Sequence, residues 1–128
     1  MLTRDMLNTM KPGKELNGLV ATHVMEITEV DWLYDYPWFK DTDGTYRAVN
    51  EYSKDISAAW EVVEKIDEGK RGISVSKSPY YDDVWIVEIS IFEADEEGKI
   101  HIVDKFIAEA KSAPEAICKA ALLAVLRL

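Results

Sequence analysis

The sequence predicts an α+β fold: a central antiparallel β-meander of about three strands, flanked by about three helices. Three observations predict it. Apolar residues recur at helical spacing up to Gly69 and at a period of two after it. The links between the later stretches are short and rich in Pro, Asp and Gly, as between antiparallel neighbours. An almost wholly apolar run, Ala113–Leu128, follows a strong helix-start signal. With 128 residues, 48% of them hydrophobic and 30% charged, the chain has the size and balance of one globular domain. That domain is taken as 1–128, with 1–12 as a flexible N-terminal segment.

The first helix is expected over 13–27, after Pro12 and Gly13, with Leu16, Leu19, Val20, His23, Val24 and Ile27 on one stripe. Thr28–Tyr52 has no sustained period and reads as loop-rich. Ser53 or Asp55 can cap a second helix over 54–68, where Ile56, Ala59, Trp60, Val63 and Ile66 recur until Gly69 stops it. Ile73 and Val75 then alternate with Ser74 and Ser76, and Val84–Phe92 and Ile100–Ile107 make two further strands. The Val84–Phe92 strand is apolar on both sides, which places it mid-sheet with part of each face covered.

The closing helix is expected over 113–127. Ser112-Ala113-Pro114-Glu115 has the spacing of a capping box, with Pro in the first turn, where its missing N–H costs nothing. From Ala116 onward little polar face remains. Such a helix packs against several neighbours or carries a contact to another chain, so a homo-oligomer through 113–128 is one expected partner state.

Fifteen basic against twenty-four acidic residues give a net charge of -9, which repels phosphate backbones. The densest basic cluster, Lys65, Lys70 and Arg71, is diluted by Glu64, Asp67 and Glu68 and reads as a solvated helix end, so no direct nucleic-acid binding is expected. Met1–Met10 lacks the apolar core of a signal peptide, and the apolar C-terminal run is too short and too charged to span a bilayer. The expectation is a cytoplasmic protein with no membrane partner. One cysteine can make neither an internal disulfide nor a cysteine-based zinc site.

Three segments resemble the phage ABA sandwich domain family: Gly13-Lys14-Glu15-Leu16-Asn17-Gly18-Leu19-Val20-Ala21 with Val24-Met25, Tyr52–Lys65, and Ala113–Leu122. The second and third are the more specific, because helical periodicity alone would accept many other residues there. The resemblance implies an α–β–α sandwich and a phage or prophage gene, and brings no catalytic residues with it. The order from the second helix onward, α-β-β-β-α, is also that of double-stranded-RNA-binding domains. Those grip phosphate with a Lys cluster at the start of the last helix, where this chain has only Lys111 followed by Glu115.

The segment Thr28–Tyr52 carries the candidate site. Trp32, Tyr34, Tyr36, Trp38, Phe39, Tyr46 and Tyr52 are seven of the chain's thirteen aromatics. Trp32, Tyr34, Tyr36 and Trp38 alternate, so one extended strand would point all four to one side. Such faces stack on a nucleobase, anchor a protein partner or simply cover an edge of the core. A nucleotide site would add cations, for which Lys40, Arg47 and Lys54 are near in sequence; a protein site would have an acidic rim of Asp31, Asp35 and Asp41. The binding residues expected are Trp32, Tyr34, Tyr36, Trp38 and Arg47.

Other constellations carry less. In Asp41-Thr42-Asp43-Gly44, an EF-hand register puts Phe39 and Asn50 where acids are required, so a plain turn is expected. Glu93–Glu97 reads as a solvated hairpin tip. His23 reads as a boundary residue of the core, His101 sits beside Lys99 and Asp104, and Cys118 reads as a small hydrophobe. No nucleophile elbow, phosphate-cradling loop or His-Glu-x-x-His occurs, so no metal, cofactor or catalytic residue is expected. The function expected is a non-enzymatic phage accessory protein that binds a host protein. Sequestration of a nucleotide-like small molecule is the first alternative, and a nucleotide-modifying enzyme relying on His23 or His101 is the second.

Overall fold

The computed structural model describes residues 1–68 and 71–128, so the expected helix stop Gly69 and Lys70 of the basic cluster lie outside the described residues. Four helices and six strands follow in the order α1 (Arg4–Thr9), α2 (Lys14–His23), β1 (Val30–Leu33), β2 (Tyr36–Lys40), β3 (Tyr46–Ala48), α3 (Ile56–Asp67), β4 (Arg71–Lys77), β5 (Trp85–Ala94), β6 (Ile100–Ala110) and α4 (Ala113–Leu126). The strands form two antiparallel three-stranded sheets, β1-β2-β3 and β4-β5-β6. The fold is therefore α+β. The meander expected after residue 69 is present with β5 in the middle, but a second sheet stands where a loop-rich segment was expected.

Helix α4 is the hub, in contact with α1, α2, α3, β5 and β6. Ser112 caps it by accepting the Glu115 N–H at 3.3 Å, as the sequence predicts. Every residue from Ala116 to Ala124 is buried, including Lys119. The lack of a polar face is thus met inside one chain, and the helix expected to support self-association has no exposed apolar stripe to offer. Lys119 is 3% exposed and its ammonium donates to Glu115 Oε2 at 2.7 Å and to the Asn8 carbonyl at 3.1 Å. That pairing makes its burial tolerable and ties α1 to α4. The N-terminal segment expected to be flexible holds α1, capped by Thr3, with Leu7 fully buried.

Two helical stripes are rotated from expectation. In α2 the buried residues are Leu16, Asn17, Gly18, Val20 and Ala21, while His23 is exposed rather than at the core boundary. A polar residue and two small ones form the close-packed face, which a search for large apolar residues misses. In α3 the buried set is Ala58, Ala59, Val62, Val63 and Ile66, and both Ile56 and Trp60 are about half exposed, at 51%. Asp55 is the α3 cap, accepting the Ser57 N–H at 3.0 Å.

In the sheet β4-β5-β6, Val87, Ile89 and Ile91 of β5 lie beside Phe106 and Ala108 of β6 on a buried face under α4. Part of the opposite face was expected to be covered as well, and its β5 residues are half-buried. It carries Ile86, Glu88, Ser90 and Phe92 on β5, with Phe92 folded over Gly72 of β4, where an added Cβ would meet the ring at 2.8 Å. Ser74, Ser76, Ile102, Lys105 and Ile107 on that face are exposed. No helix of the described residues is long and apolar enough to cross a membrane.

Candidate functional site

The small sheet is built on a two-residue hairpin. Leu33 pairs with Tyr36, and the turn residues between them, Tyr34 and Asp35, both have left-handed φ values of 53° and 61°. Two consecutive positive φ angles match the twist of the flanking strands, and Asn-Gly is the pair that adopts them most easily. Tyrosine there is strained by about 1–2 kcal/mol. Its side chain gains no packing in return, being 95% exposed at the tip.

The turn also overturns the expectation of one aromatic face. Trp32 pairs with Pro37 and Asp31 with Trp38, so the register sets Trp32 on one face and Tyr36 and Trp38 on the other. Trp32 lies against α2, where a Cβ on Gly18 would meet its Cζ2 at 3.3 Å, yet half of the residue, 51%, stays exposed. Trp38 is half-buried and its indole N–H donates to the Leu33 carbonyl at 3.0 Å, closing the hairpin on itself.

Tyr36 is held from both sides. Its hydroxyl donates to the Val49 carbonyl at 2.9 Å and accepts from Asn17 Nδ2 at 3.3 Å, and burial pushes its pKa up. Asn17 in turn accepts the Ser53 N–H at 2.9 Å and the Ser53 hydroxyl at 2.7 Å, while Ser53 Oγ accepts the Gly13 N–H at 2.8 Å. Asn17 and Ser53 are 1% and 0% exposed, so this network joins α2, the small sheet and the approach to α3 with its members satisfied. Ser53, read from sequence as a possible helix cap, is used here instead. Tyr52 is likewise core: burial, then Glu61, push its pKa up to about 12.

Arg47 has a local role. Its Nε donates to Asp41 Oδ2 at 2.7 Å, and its second guanidinium nitrogen lies 3.6 Å from Asp43. The Thr42 N–H, then Arg47, hold the Asp41 carboxyl below its ordinary pKa. The Asp41–Gly44 segment is thus a plain turn, closed by the Gly44 N–H on the Asp41 carbonyl at 2.9 Å.

Tyr36 shares an open cleft with three lysines. The cleft, of about 580 Å³, is lined by Lys11, Lys14, Lys54 and Tyr36, with Glu15 and Glu51 on its walls. Lys14 is paired with Asp35 of the hairpin turn. Of the cations considered from sequence, Lys54 reaches this cleft; Lys11 and Lys14 lie far from the aromatic segment in sequence, and only the packing of α2 on the small sheet brings them near.

The titratable candidates are dispersed. Burial pushes the Cys118 thiol pKa strongly up. His101 Nε2 lies 2.6 Å from Asp95 Oδ2 at the β5–β6 turn, and Asp95 also accepts the Glu97 and Lys99 N–H groups at 2.9 Å each. Tyr34 at the hairpin tip and Leu33 are 95% and 42% exposed, with exposed Asp31 on the Leu33 face and Asp35 in the turn; Trp32, 51% exposed, lies on the other face.

The family model of the phage ABA sandwich domain matches residues 18–122. A crystal structure of a phage protein from Bacillus cereus ATCC 14579 is similar along nearly the whole length: 26% identity, 94% of this chain and 92% of that chain covered, and a TM-score of 0.66. No curated protein matches.

Proposed function

The chain belongs to the phage ABA sandwich domain family, and on that premise we propose that it is a phage accessory protein that acts in the host cytoplasm by binding a host protein, without catalysis. The observation that carries this reading is Tyr34, a strained residue with φ 53° that is 95% exposed. Backbone strain without a packing return points to a role outside the fold. Beside Tyr34, Leu33 supplies further exposed apolar surface, and Asp31 on the same face and Asp35 in the turn give it an acidic rim suited to a basic partner, while Trp32 is half exposed on the other face. Aromatic anchors of this kind contribute about 2 kcal/mol or more each to a protein interface, or roughly 30-fold in affinity.

The test is affinity capture from host lysate with the wild-type chain and with Tyr34→Gly, followed by titration of the purified captured protein. A captured partner whose affinity falls at least about tenfold for the variant supports the reading. Equal binding by both chains sinks it.

One observation favours a second reading, sequestration of a nucleotide-like small molecule. Tyr36 shares its cleft with Lys11, Lys14 and Lys54, an aromatic ring beside cations of the kind that phosphate and base would use. Thermal shift against mono-, di- and cyclic nucleotides tests it. A rise in Tm lost in Lys54→Ala supports it, and a flat screen removes it.

A further inference from the structure

Strand β6, Ile100–Ala110, is the longest strand and has β5 on one side and no strand on the other among the described residues. A bare edge of this length is a template for another strand, and proteins usually blunt it with bulges, charge or a cover. The first half of β6 is blunted. The register shifts at Ile91/Phe92, leaving Val103 without a partner on β5, and a bulge there bends the chain. From Asp104 to Ala110 the pairing is regular.

The outer face of that regular stretch carries Lys105, Ile107 and Glu109, opposite Ser90, Glu88 and Ile86 of β5, and all three are exposed. Their order has a symmetry property. In antiparallel pairing about a twofold axis through residue 107, Ile107 faces itself and each Lys105 faces Glu109 of the other copy. An axis through residue 105 or 109 would instead set Lys against Lys or Glu against Glu. The other edge strand, β4, offers exposed Ser74, Ser76 and Lys77 and no such pattern.

We propose that the free edge of β6 is the interface with a second copy of this chain, the two β6 strands pairing antiparallel about a twofold at Ile107 to give one continuous sheet. Two Lys105–Glu109 ion pairs bracket the central Ile107 contact, and Phe106 and Ala108 become cross-strand neighbours on the buried face. This interface lies on a different element from the aromatic hairpin and does not depend on the host-partner reading.

Sedimentation velocity of the full chain over a concentration series tests it, with Glu109→Lys and Lys105→Glu as variants. The wild type should reach twice the 14.6 kDa chain mass. Each single variant places like charges in both pairs and should weaken the dimer about tenfold. Mixing the two variants pairs every Lys with a Glu again, so the mixture should form a heterodimer more readily than either variant dimerises alone. Lys105 also lies 3.3 Å from Glu88 within the chain, so Glu109→Lys, which leaves that pair intact, is the control for a local effect of Lys105→Glu. Oxidised Ile107→Cys should give a symmetric disulfide-linked dimer, since the one native cysteine, Cys118, is buried. A chain that stays at 14.6 kDa at every concentration overturns the proposal, as does a dimer indifferent to both charge reversals or a mixture that does not associate.

Discussion

The two sheets share their strand number, antiparallel sense and meander order, and differ in what holds them. β4-β5-β6 has strands of 7, 10 and 11 residues and one face sealed under α4, with Val87 and Ile89 fully buried. β1-β2-β3 has strands of 4, 5 and 3 residues, too short to bury a comparable apolar face. It is held to α2 by the close approach at Gly18 and by the Asn17–Tyr36–Val49–Ser53 hydrogen bonds. One sheet is fastened by area and the other by a few specific contacts. The strained hairpin stands on the sheet of the second kind, whose short strands leave its tip exposed.

Breaking the large sheet should have the greatest effect. Ile89→Ala removes a fully buried side chain beneath α4 and should cost about 2–5 kcal/mol, read as a lower midpoint in urea unfolding with global loss of structure. Asn17→Ala should cost less, about 1–3 kcal/mol, by leaving the buried Ser53 hydroxyl and N–H without their acceptor. Its signature would be local: hydrogen-exchange protection should fall in β1–β3 while β5 keeps its own.

Tyr34→Gly should act with the opposite sign. Relief of about 1–2 kcal/mol of left-handed strain, less about 0.5–1 kcal/mol for glycine's extra freedom when unfolded, should raise stability by up to about 1.5 kcal/mol while partner binding falls. A loss of stability would mean that the tyrosine supports the fold.

The smallest effect is expected at the turn of the large sheet. His101, then the Lys99 N–H, lower the Asp95 pKa in the folded state. The unfolded chain therefore takes up the proton first. The stabilisation is present in full above the ordinary carboxylate value of 3.8 and lost as pH falls through the lowered folded value. Tm measured from pH 5 downward should fall slightly more for wild type than for Asp95→Asn; parallel curves would show that the turn gains nothing from this carboxylate.

Features with local causes are written in the sequence. The capping box at Ser112 and the apolar run behind it placed α4, the change of period after residue 69 placed β4–β6, and the double-sided apolar strand put β5 in the middle of its sheet. Three segments were enough to carry the family. The aromatic segment was legible as a distinct stretch, because its composition stands out from the rest of the chain.

The remaining features depend on contacts between segments distant in sequence. Alternation at Trp32, Tyr34, Tyr36 and Trp38 suggests one strand, but a turn at Tyr34 and Asp35 divides it, and no Asn-Gly signal announces that turn. Nothing local in the sequence signals the burial of Asn17, Ser53 and Lys119; each is buried with a partner distant in sequence or on a neighbouring turn that satisfies it. The same holds for α4. Its composition says that it must be covered all round, but whether by its own chain or by another depends on how α1, α2, α3 and the large sheet close around it. Period and capping act over a few residues and are written in sequence, whereas the satisfaction of a buried group is a property of the neighbours that folding brings to it.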